Sequence, residues 1–276
     1  MLNLMYITNK PEVAKIVEAA GVDTLFVDLE VLDKNLRQGG MDTVQSHHTI
    51  ADVKTIHDCL TTAKLLVRTN HLYDGSKEEV DAVINNGADI VMLPYFKTLG
   101  EVTKFIEYVG GRAKVCLLLE TKEAAEQLDE ILEIPGIDFI YIGLNDLHLS
   151  YGMKFMFEPL ANGMVENLVK RIAAKGITYG FGGLARLDGG LIPGKWVLKE
   201  HHRLGSKMVI VSRSFCNSEK ITNLDEIRDI FNKGIPAIRK MEEDMAHSNE
   251  DFSVNQQYVI DAVAAIVNNK TKDGDA

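Results

Sequence analysis

Apolar and polar residues alternate in blocks along the chain, and eight short apolar runs have the length and composition of β-strands. Polar residues end each run, and a segment with apolar residues at helical spacing follows most of them. The predicted strands are Leu4–Ile7, Thr24–Val27, Lys64–Val67, Asp89–Pro94, Lys114–Leu119, Phe139–Ile142, Thr178–Phe181 and Lys207–Val211.

This alternation predicts parallel strands joined by helical crossovers. Eight such units in about 250 residues favour a (β/α)8 barrel (TIM barrel) over an open doubly wound sheet. The first strand also lacks the Gly-x-Gly-x-x-Gly turn of dinucleotide-binding sheets. We therefore predict an α/β fold with a (β/α)8 catalytic domain over residues 1–250. Its last helix, Asp225 to Met245, is expected to be either continuous or broken in two.

Residues 251–276 predict one extra C-terminal helix followed by a frayed polar tail from Asn268 onward. The helix has an apolar face formed by Tyr258, Val259, Ala262 and Ile266. Because this face requires a cover, we expect the helix to pack on its own barrel or on a partner subunit.

The composition of the chain argues against several kinds of binding partner. The net charge of −10 argues against a nucleic-acid partner. Cys59, Cys116 and Cys216 are too widely spaced to suggest a zinc site, and Cys116 and Cys216 fall in strand-like runs as small buried residues. No apolar run approaches membrane-spanning length and no signal peptide opens the chain. The expectation is a cytoplasmic protein that binds a small molecule and neither membrane nor nucleic acid.

Acidic residues follow three of the predicted strands. Glu120 ends the fifth strand and Asp146 follows the sixth, while Asp28 and Glu30 follow the second. The carboxyl ends of barrel strands meet at one face, where Glu120 and Asp146 could bind one hard cation. Without a nearby cysteine, Mg²⁺ or Mn²⁺ fits better than Zn²⁺. The alternative is that Glu120 caps the next helix and Asp146 turns a loop.

Arg68 ends the third strand, where a cation could stabilise an enolate oxygen or simply neutralise Asp28 or Glu30. His48 is a candidate acid or base, as are His47, His71 and His148, although loop histidines are often only solvated. His201 and His202 are expected on a helix surface.

Substrate contacts are also expected at the later strand ends. Asn145 and Gly183 are the candidates. A phosphate or carboxylate pocket is expected at the last two strand ends, where the glycines could equally relieve crowding. Its members would be Gly182, Gly183, Arg186, Ser212, Arg213 and Ser214.

Several segments resemble the HpcH/HpaI aldolase and citrate lyase β-subunit superfamily, in order over roughly residues 20 to 215. They are Phe26–Glu30, Val67–Asn70, Leu119–Ala124, Leu128–Leu132, Pro135–Asp138 and Ile142–Leu147. The resemblance implies a metal-dependent barrel that makes or breaks C–C bonds through a pyruvate or acetyl-CoA enolate. It implies that Glu120 and Asp146 bind the metal, Arg68 stabilises the enolate and Glu30 holds metal-bound water. It also implies a homo-oligomer (dimer, trimer or hexamer) in which C-terminal helices exchange.

The chain departs from the pyruvate aldolases near the reacting groups. Val31 replaces a histidine, Leu118 a glutamine and Leu144 a proline. His148 replaces a small residue, and the loop from Val31 to His48 lacks the usual Ala-Pro pair. The metal platform is thus retained while the acid–base and substrate-binding parts are altered.

The leading hypothesis is a Mg²⁺- or Mn²⁺-dependent lyase or aldolase acting on a small 2-oxo acid of the pyruvate or oxaloacetate type. A CoA-thioester lyase of the citrate lyase β type is the nearest alternative. A Schiff-base aldolase would need a buried lysine, for which Lys97 is the loose candidate. A metabolite-binding barrel without C–C chemistry is the remaining alternative.

Overall fold

The computed structural model describes residues 1–32 and 47–274, and its eight parallel strands close into a barrel in chain order. The predicted (β/α)8 fold is therefore confirmed. The long predicted loop falls mostly on residues 33–46, outside the described residues. The strands are β1 (Asn3–Ile7), β2 (Thr24–Asp28), β3 (Lys64–Arg68), β4 (Ile90–Leu93), β5 (Lys114–Leu119), β6 (Phe139–Ile142), β7 (Thr178–Leu184) and β8 (Met208–Val211).

Helices surround the barrel and follow the predicted alternation. In the described residues they are α1 (Pro11–Ala19), α2 (Ile50–His57), α3 (Ser76–Asn85), α4 (Leu99–Val109), α5 (Lys122–Glu126), α6 (Leu128–Ile131), α7 (Leu144–Ser150), α8 (Glu158–Ala161), α9 (Met164–Ala174), α10 (Gly194–Arg203), α11 (Leu224–Ala246) and α12 (Ser253–Gly274). Of the two forms predicted for α11, continuous or broken, the continuous form is confirmed, because the helix runs past Pro236 without a break. Within these residues, no helix combines the length and apolarity that a membrane crossing requires.

Strand side chains alternate between two cores, as the pleat requires. Those pointing outward pack under the helices. Those pointing inward form a smaller cluster that includes Met5, Phe26, Met92, Cys116 and Met208. Ile7 and Ile210 are only partly buried and pack against this inner cluster. The barrel interior is therefore filled, and a ligand can enter only at an end.

The seam between β7 and β8 depends on glycine and on one tyrosine. A Cβ atom on Gly180 would lie 2.2 Å from the Met208 carbonyl oxygen, so the two strands approach closely only because Gly180 has no side chain. Beyond it the strand register shifts, and β7 continues to Leu184 rather than ending at Phe181. The Tyr141 hydroxyl donates to the Gly182 carbonyl and accepts the Ile210 N–H at 2.9 Å, which fixes both strands.

Helix α12 packs on the barrel of its own chain. Val259 and Val263 are buried, and the Tyr258 ring stacks on Trp196 with centroids 4.1 Å apart. The Asn255 side chain donates to Glu200 at 2.6 Å. The apolar face thus has a cover within the chain, and exchange with a partner subunit stays a prediction. Side chains beyond residue 269 lie outside the described residues.

The expectation that His201 lies on the surface is wrong, although His202 is exposed as expected. His201 is 0% exposed because it shares the barrel-facing side of α10 with Val197 and Leu198. Its ring stacks on Phe181 at 3.9 Å, and its Nδ1 lies 2.9 Å from the Ser206 hydroxyl. The helical spacing therefore indicates the correct, buried face of the helix for His201, whereas its residue type alone favours the polar face.

His201 is expected to make stability depend on pH. Burial lowers the pKa of its imidazole from the ordinary 6.5 to about 3. The unfolded chain takes up a proton near pH 6.5 and the folded chain does not. The contribution of neutral His201 to the free energy of unfolding is therefore fully present above pH 6.5. It is lost as the pH falls toward 3, by at most about 1.4 kcal/mol per pH unit.

Urea unfolding of His201→Gln between about pH 7 and pH 5 should show a shallower decline than the wild type. His202→Gln, on the exposed side of the same helix, is the control and should keep the wild-type slope. Equal slopes in all three proteins would contradict the assignment.

Candidate active site

A cavity of about 550 Å³ opens at the carboxyl ends of the strands. Its volume suits a small ligand. Most of the residues that the sequence nominated for the site lie on its wall. These are Asp28, His47, His48, Arg68, Glu120, Asn145, Asp146, Gly182, Gly183, Ser212 and Arg213. The structure therefore brings residues from six different strand ends into one place, as the barrel topology predicts.

Arg68 is held by two carboxylates. Its Nε and Nη2 donate to the two oxygens of Asp28, each at 2.8 Å, because the two residues are register partners on β2 and β3. Its Nη1 lies 3.3 Å from Glu30. Burial alone would lower the pKa of the guanidinium, but the charges of Asp28 and Glu30 raise it well above its ordinary value. Arg68 is thus a fixed cation that also lines the cavity.

Glu30 is 1% exposed and is not among the cavity-lining residues. It contacts Arg68, so the neutralising arrangement considered from the sequence is present for both acids. A direct role of Glu30 in holding metal-bound water stays a prediction.

The Glu120 carboxylate is positioned by a strained residue and by a glycine. Its Oε1 accepts the backbone N–H of Tyr95 at 3.0 Å. Tyr95 has φ of 49°, a left-handed conformation that is uncommon for a residue with a side chain. A Cβ atom on Gly143 would stand 2.6 Å from Glu120 Oε2. The carboxylate can therefore lie over the end of β6 only because residue 143 is glycine.

Asp146 and Asn145 lie in the first turn of α7, directly after β6. Asp146 is 8% exposed, and both side chains line the cavity. The alternative in which Asp146 turns a loop is thus wrong, since the residue is helical. The alternative in which Glu120 caps a helix is also wrong, because the Thr121 hydroxyl accepts the Ala124 N–H and caps α5.

The donor set suits a hard cation. Glu120 and Asp146 follow adjacent strands and present carboxylates to the same cavity, while the Cys116 thiol lies in the barrel interior. Among the described residues, no three or more His, Cys, Asp or Glu side chains group as metal ligands. Two carboxylates with the remaining positions open are typical of Mg²⁺ and Mn²⁺ sites and not of structural zinc sites.

His48 has a defined ring orientation. The backbone N–H of Asp28 donates to its Nδ1 at 3.0 Å, so a neutral imidazole carries its proton on Nε2. The other loop histidines differ. His47 also lines the cavity, whereas His71 and His148 do not, and His148 is buried with Nδ1 3.2 Å from the Leu144 carbonyl. The structure therefore favours His48 among the histidine candidates.

The expected anion pocket is only partly assembled. Gly182, Gly183, Ser212 and Arg213 line the cavity. Arg186 lies elsewhere, and its Nε donates to the Phe215 carbonyl at 2.8 Å. Gly182 has φ of 59°, and a Cβ there would lie 2.9 Å from Leu144, so relief of crowding accounts for this glycine.

Asn70 is a supporting residue whose role the sequence did not reveal. Its side-chain oxygen accepts the N–H groups of Val31 and Leu32, each at 2.9 Å. Its amide donates to Glu79 at 2.8 Å, and burial raises the pKa of that carboxyl. Asn70 thereby fixes the backbone just after Glu30. Its place at the end of β3 was the available signal, but its partners are backbone groups that sequence patterns do not show.

A closed barrel with a cationic and acidic cavity at the strand ends has the architecture of TIM-barrel enzymes. The model of the HpcH/HpaI aldolase/citrate lyase family matches residues 3–160, which is more than half of the chain. The chain belongs to this family.

Individual relatives agree with that assignment. The 2-keto-3-deoxy-L-rhamnonate aldolases of Shigella boydii serotype 4 (strain Sb227) and Shigella sonnei (strain Ss046) are each 30% identical over 139 residues. Each match covers 39% of this chain and 52% of the relative, so the chain spans about half the length of the curated relatives it matches.

Two solved structures share the fold at 15% identity. The HpcH/HpaI aldolase from Desulfitobacterium hafniense DCB-2 superposes with a TM-score of 0.62, covering 83% of this chain and 93% of the other. Citrate synthase SbnG superposes with a TM-score of 0.61, covering 82% and 92%.

The Asp28–Arg68 pair is expected to stabilise the fold as well as the site. Asp28→Ala would leave a half-buried guanidinium without its bidentate partner, although Glu30 would still contact it, so the expected loss is about 1.5–3 kcal/mol of unfolding free energy. Chemical denaturation measures the loss. Asp58→Ala breaks the exposed pair with Lys54 and should change little. Equal losses in the two variants would contradict the structural role.

Proposed function

We propose that this chain is a metal-dependent carbon–carbon lyase or aldolase that acts on a small 2-oxo acid through a pyruvate-type enolate. The carrying observation is the placement of Arg68, fixed by Asp28 and Glu30, in the same cavity as Glu120 and Asp146. Family membership and the aldolase activity for which the curated relatives are named support the same class of reaction.

The proposed step is cleavage of a 4-hydroxy-2-oxo acid. The C4 hydroxyl loses its proton to a base, the C3–C4 bond breaks, and C4 leaves as an aldehyde. The bonding electron pair remains on the other fragment as pyruvate enolate, which then takes a proton at C3. Negative charge develops on the 2-oxo oxygen, and a preorganised Arg68 would stabilise it. A Mg²⁺ or Mn²⁺ ion held by Glu120 and Asp146 would polarise the same oxo group.

We propose that His48 donates a hydrogen bond to the reacting molecule. Its Nδ1 accepts the Asp28 N–H, so Nε2–H is the donor available on the neutral ring. Service as a base through Nε2 would require a proton on Nδ1 and loss of the Asp28 contact. Asn145 and Gly183, which also line the cavity, would contribute to holding the carboxylate end.

Experiments can distinguish the proposed aldolase from a Schiff-base aldolase and from a CoA-thioester lyase. No lysine from the described parts of the chain lines the cavity, and Lys97 instead lies 3.7 Å from Glu123 on the surface. This arrangement disfavours a Schiff-base mechanism, which borohydride trapping would detect. A CoA-thioester lyase would be retained on immobilised CoA, whereas the proposed 2-oxo-acid aldolase would not.

Arg68→Lys should strongly slow enolate formation, because lysine cannot keep the bidentate contact with Asp28 and its charge would move. Proton NMR of pyruvate in D₂O with Mg²⁺ measures exchange of the methyl protons. We expect about a 100-fold or greater fall in the exchange rate relative to wild type. Arg112→Lys, in a partly exposed pair with Asp81, is the control and should exchange normally. Absence of exchange in the wild type would contradict the proposed reaction.

Metal binding can be tested separately from turnover. Glu120→Gln should abolish or greatly weaken Mn²⁺ binding in calorimetry. Gly143→Ala should weaken it by about 10- to 100-fold, because the new methyl group would displace the Glu120 carboxylate. Gly100→Ala is the matched control, since its Cβ would have 3.9 Å of room in α4. Unchanged Mn²⁺ affinity in Glu120→Gln would refute the ligand assignment.

A further inference from the structure

The His48 ring lies in the gap beyond the end of β1. Successive N–H groups of a strand within a parallel sheet point alternately to its two neighbours. The Leu29 N–H bonds to the Arg68 carbonyl of β3 at 2.9 Å, so the Asp28 N–H points to the side of β1. Because β1 ends at Ile7, no strand residue accepts this N–H, and His48 Nδ1 accepts it at 3.0 Å. The ring therefore takes the place of the next residue of β1.

The backbone next to His48 is fixed by Asp52. One oxygen of the Asp52 carboxylate accepts the Thr49 N–H at 2.6 Å and the Thr49 hydroxyl at 3.0 Å. The Thr49 N–H belongs to the planar peptide group that joins His48 to Thr49. Thr49 and Asp52 are also the N-cap and third residues of α2, which form a capping box. The carboxylate thus fixes the start of α2 and the backbone of His48 together.

The same carboxylate is tied to the end of β1. The Asn9 side-chain amide donates at 3.3 Å to the Asp52 oxygen that also accepts from Thr49. Asn9 lies two residues beyond β1, and both Asn9 and His48 line the cavity, whereas Asp52 does not. A capping box needs only Thr49 and Asp52, so the contact with Asn9 is an additional link between the helix and the site.

We propose that Asp52 is a positioning residue for His48. Its carboxylate holds the His48 backbone at the end of β1, while the Asp28 N–H holds Nδ1 and leaves the proton of the neutral ring on Nε2. Two fixed points on one residue give the ring a defined place and direction. This proposal rests on the proposed function, in which His48 donates a hydrogen bond to the reacting molecule, here pyruvate or its enolate.

A second capping box in the chain provides a matched control. At the start of α4, Glu101 accepts the N–H of Thr98 at 2.8 Å and its hydroxyl at 2.9 Å. Neither Thr98 nor Glu101 lines the cavity. Glu101→Ala should therefore lower the midpoint of urea unfolding much as Asp52→Ala does, because each variant loses the same kind of helix cap. It should keep the wild-type rate of pyruvate methyl exchange.

A double-mutant cycle measures whether Asp52 acts through His48. Exchange of the pyruvate methyl protons in D₂O with Mg²⁺ is the assay. We expect His48→Ala to slow exchange about 100-fold and Asp52→Ala to slow it about 10-fold. Asp52→Ala should then change the rate of His48→Ala by less than about twofold, because the residue through which it acts is absent. Asp52→Asn should keep most of the wild-type rate, since its amide oxygen can still accept the Thr49 N–H.

The orientation of the ring can be followed without turnover. Two-bond proton–nitrogen NMR correlations distinguish the two tautomers of a neutral imidazole, and the signals missing from His48→Ala belong to His48. The wild type and Glu101→Ala should carry the proton on Nε2. Asp52→Ala should show a mixture of tautomers, because the ring no longer keeps its contact with the Asp28 N–H. Asn9→Ala leaves the capping box complete and repeats both measurements if Asp52→Ala folds poorly.

The possible results separate this proposal from the proposed function. If the wild type exchanges but the Asp52→Ala and His48→Ala effects multiply, the positioning role is overturned and the proposed function stands. Equal losses of rate in Asp52→Ala and Glu101→Ala, or a wild-type rate in His48→Ala, also overturn it. Absence of exchange in the wild type overturns the proposed function. An unchanged tautomer in Asp52→Ala refutes the orienting role of Asp52 whether or not the wild type exchanges.

Discussion

The buried ion pair between Arg68 and Asp28 is the interaction on which the site depends. The guanidinium is half-buried at the cavity wall, and the charges of the two carboxylates beside it raise its pKa. The same pair ties β2 to β3 at the mouth of the barrel. The backbone N–H of Asp28 also holds His48, so the aspartate organises a cation and an imidazole together. The proposed function and the stability of the fold therefore depend on the same few atoms.

The acidic residues across the cavity are positioned by a different means. Glu120 owes its orientation to the backbone N–H of Tyr95 and to the missing side chain of Gly143. Both features act on the position of the carboxylate, which lines the cavity. The left-handed φ of Tyr95 is a local strain that the surrounding strands must sustain. Arg68 depends on a bidentate ion pair for its position, whereas Glu120 depends on the local backbone.

Much of the fold followed from sequence because a closed parallel barrel has a simple periodic pattern. Apolar runs and helical spacing located all eight strands, and strand ends located Arg68, Glu120 and Asp146. Contacts made by the backbone could not be predicted in the same way, since the Tyr95 N–H and the register shift after Gly180 leave no residue pattern. The prediction that His201 lies on the surface was wrong for another reason. Histidine is a polar residue, but its neighbours on the same side of the helix are apolar.

Two departures from the pyruvate aldolase pattern change side chains that line the cavity. The pyruvate aldolases have a glutamine at the position of Leu118 and a proline at the position of Leu144. Here Leu118 lies beside Gly143, which follows β6, and Leu144 lies beside Gly182 in β7. Both leucines line the cavity. The proposed stabilisation of an enolate uses the acids and Arg68, which are kept, and does not require a polar side chain at either of these two positions. A hydroxyl group of a ligand finds no hydrogen-bond partner in either leucine side chain, so polar contacts must come from the other lining residues, such as Asn145 and Arg213.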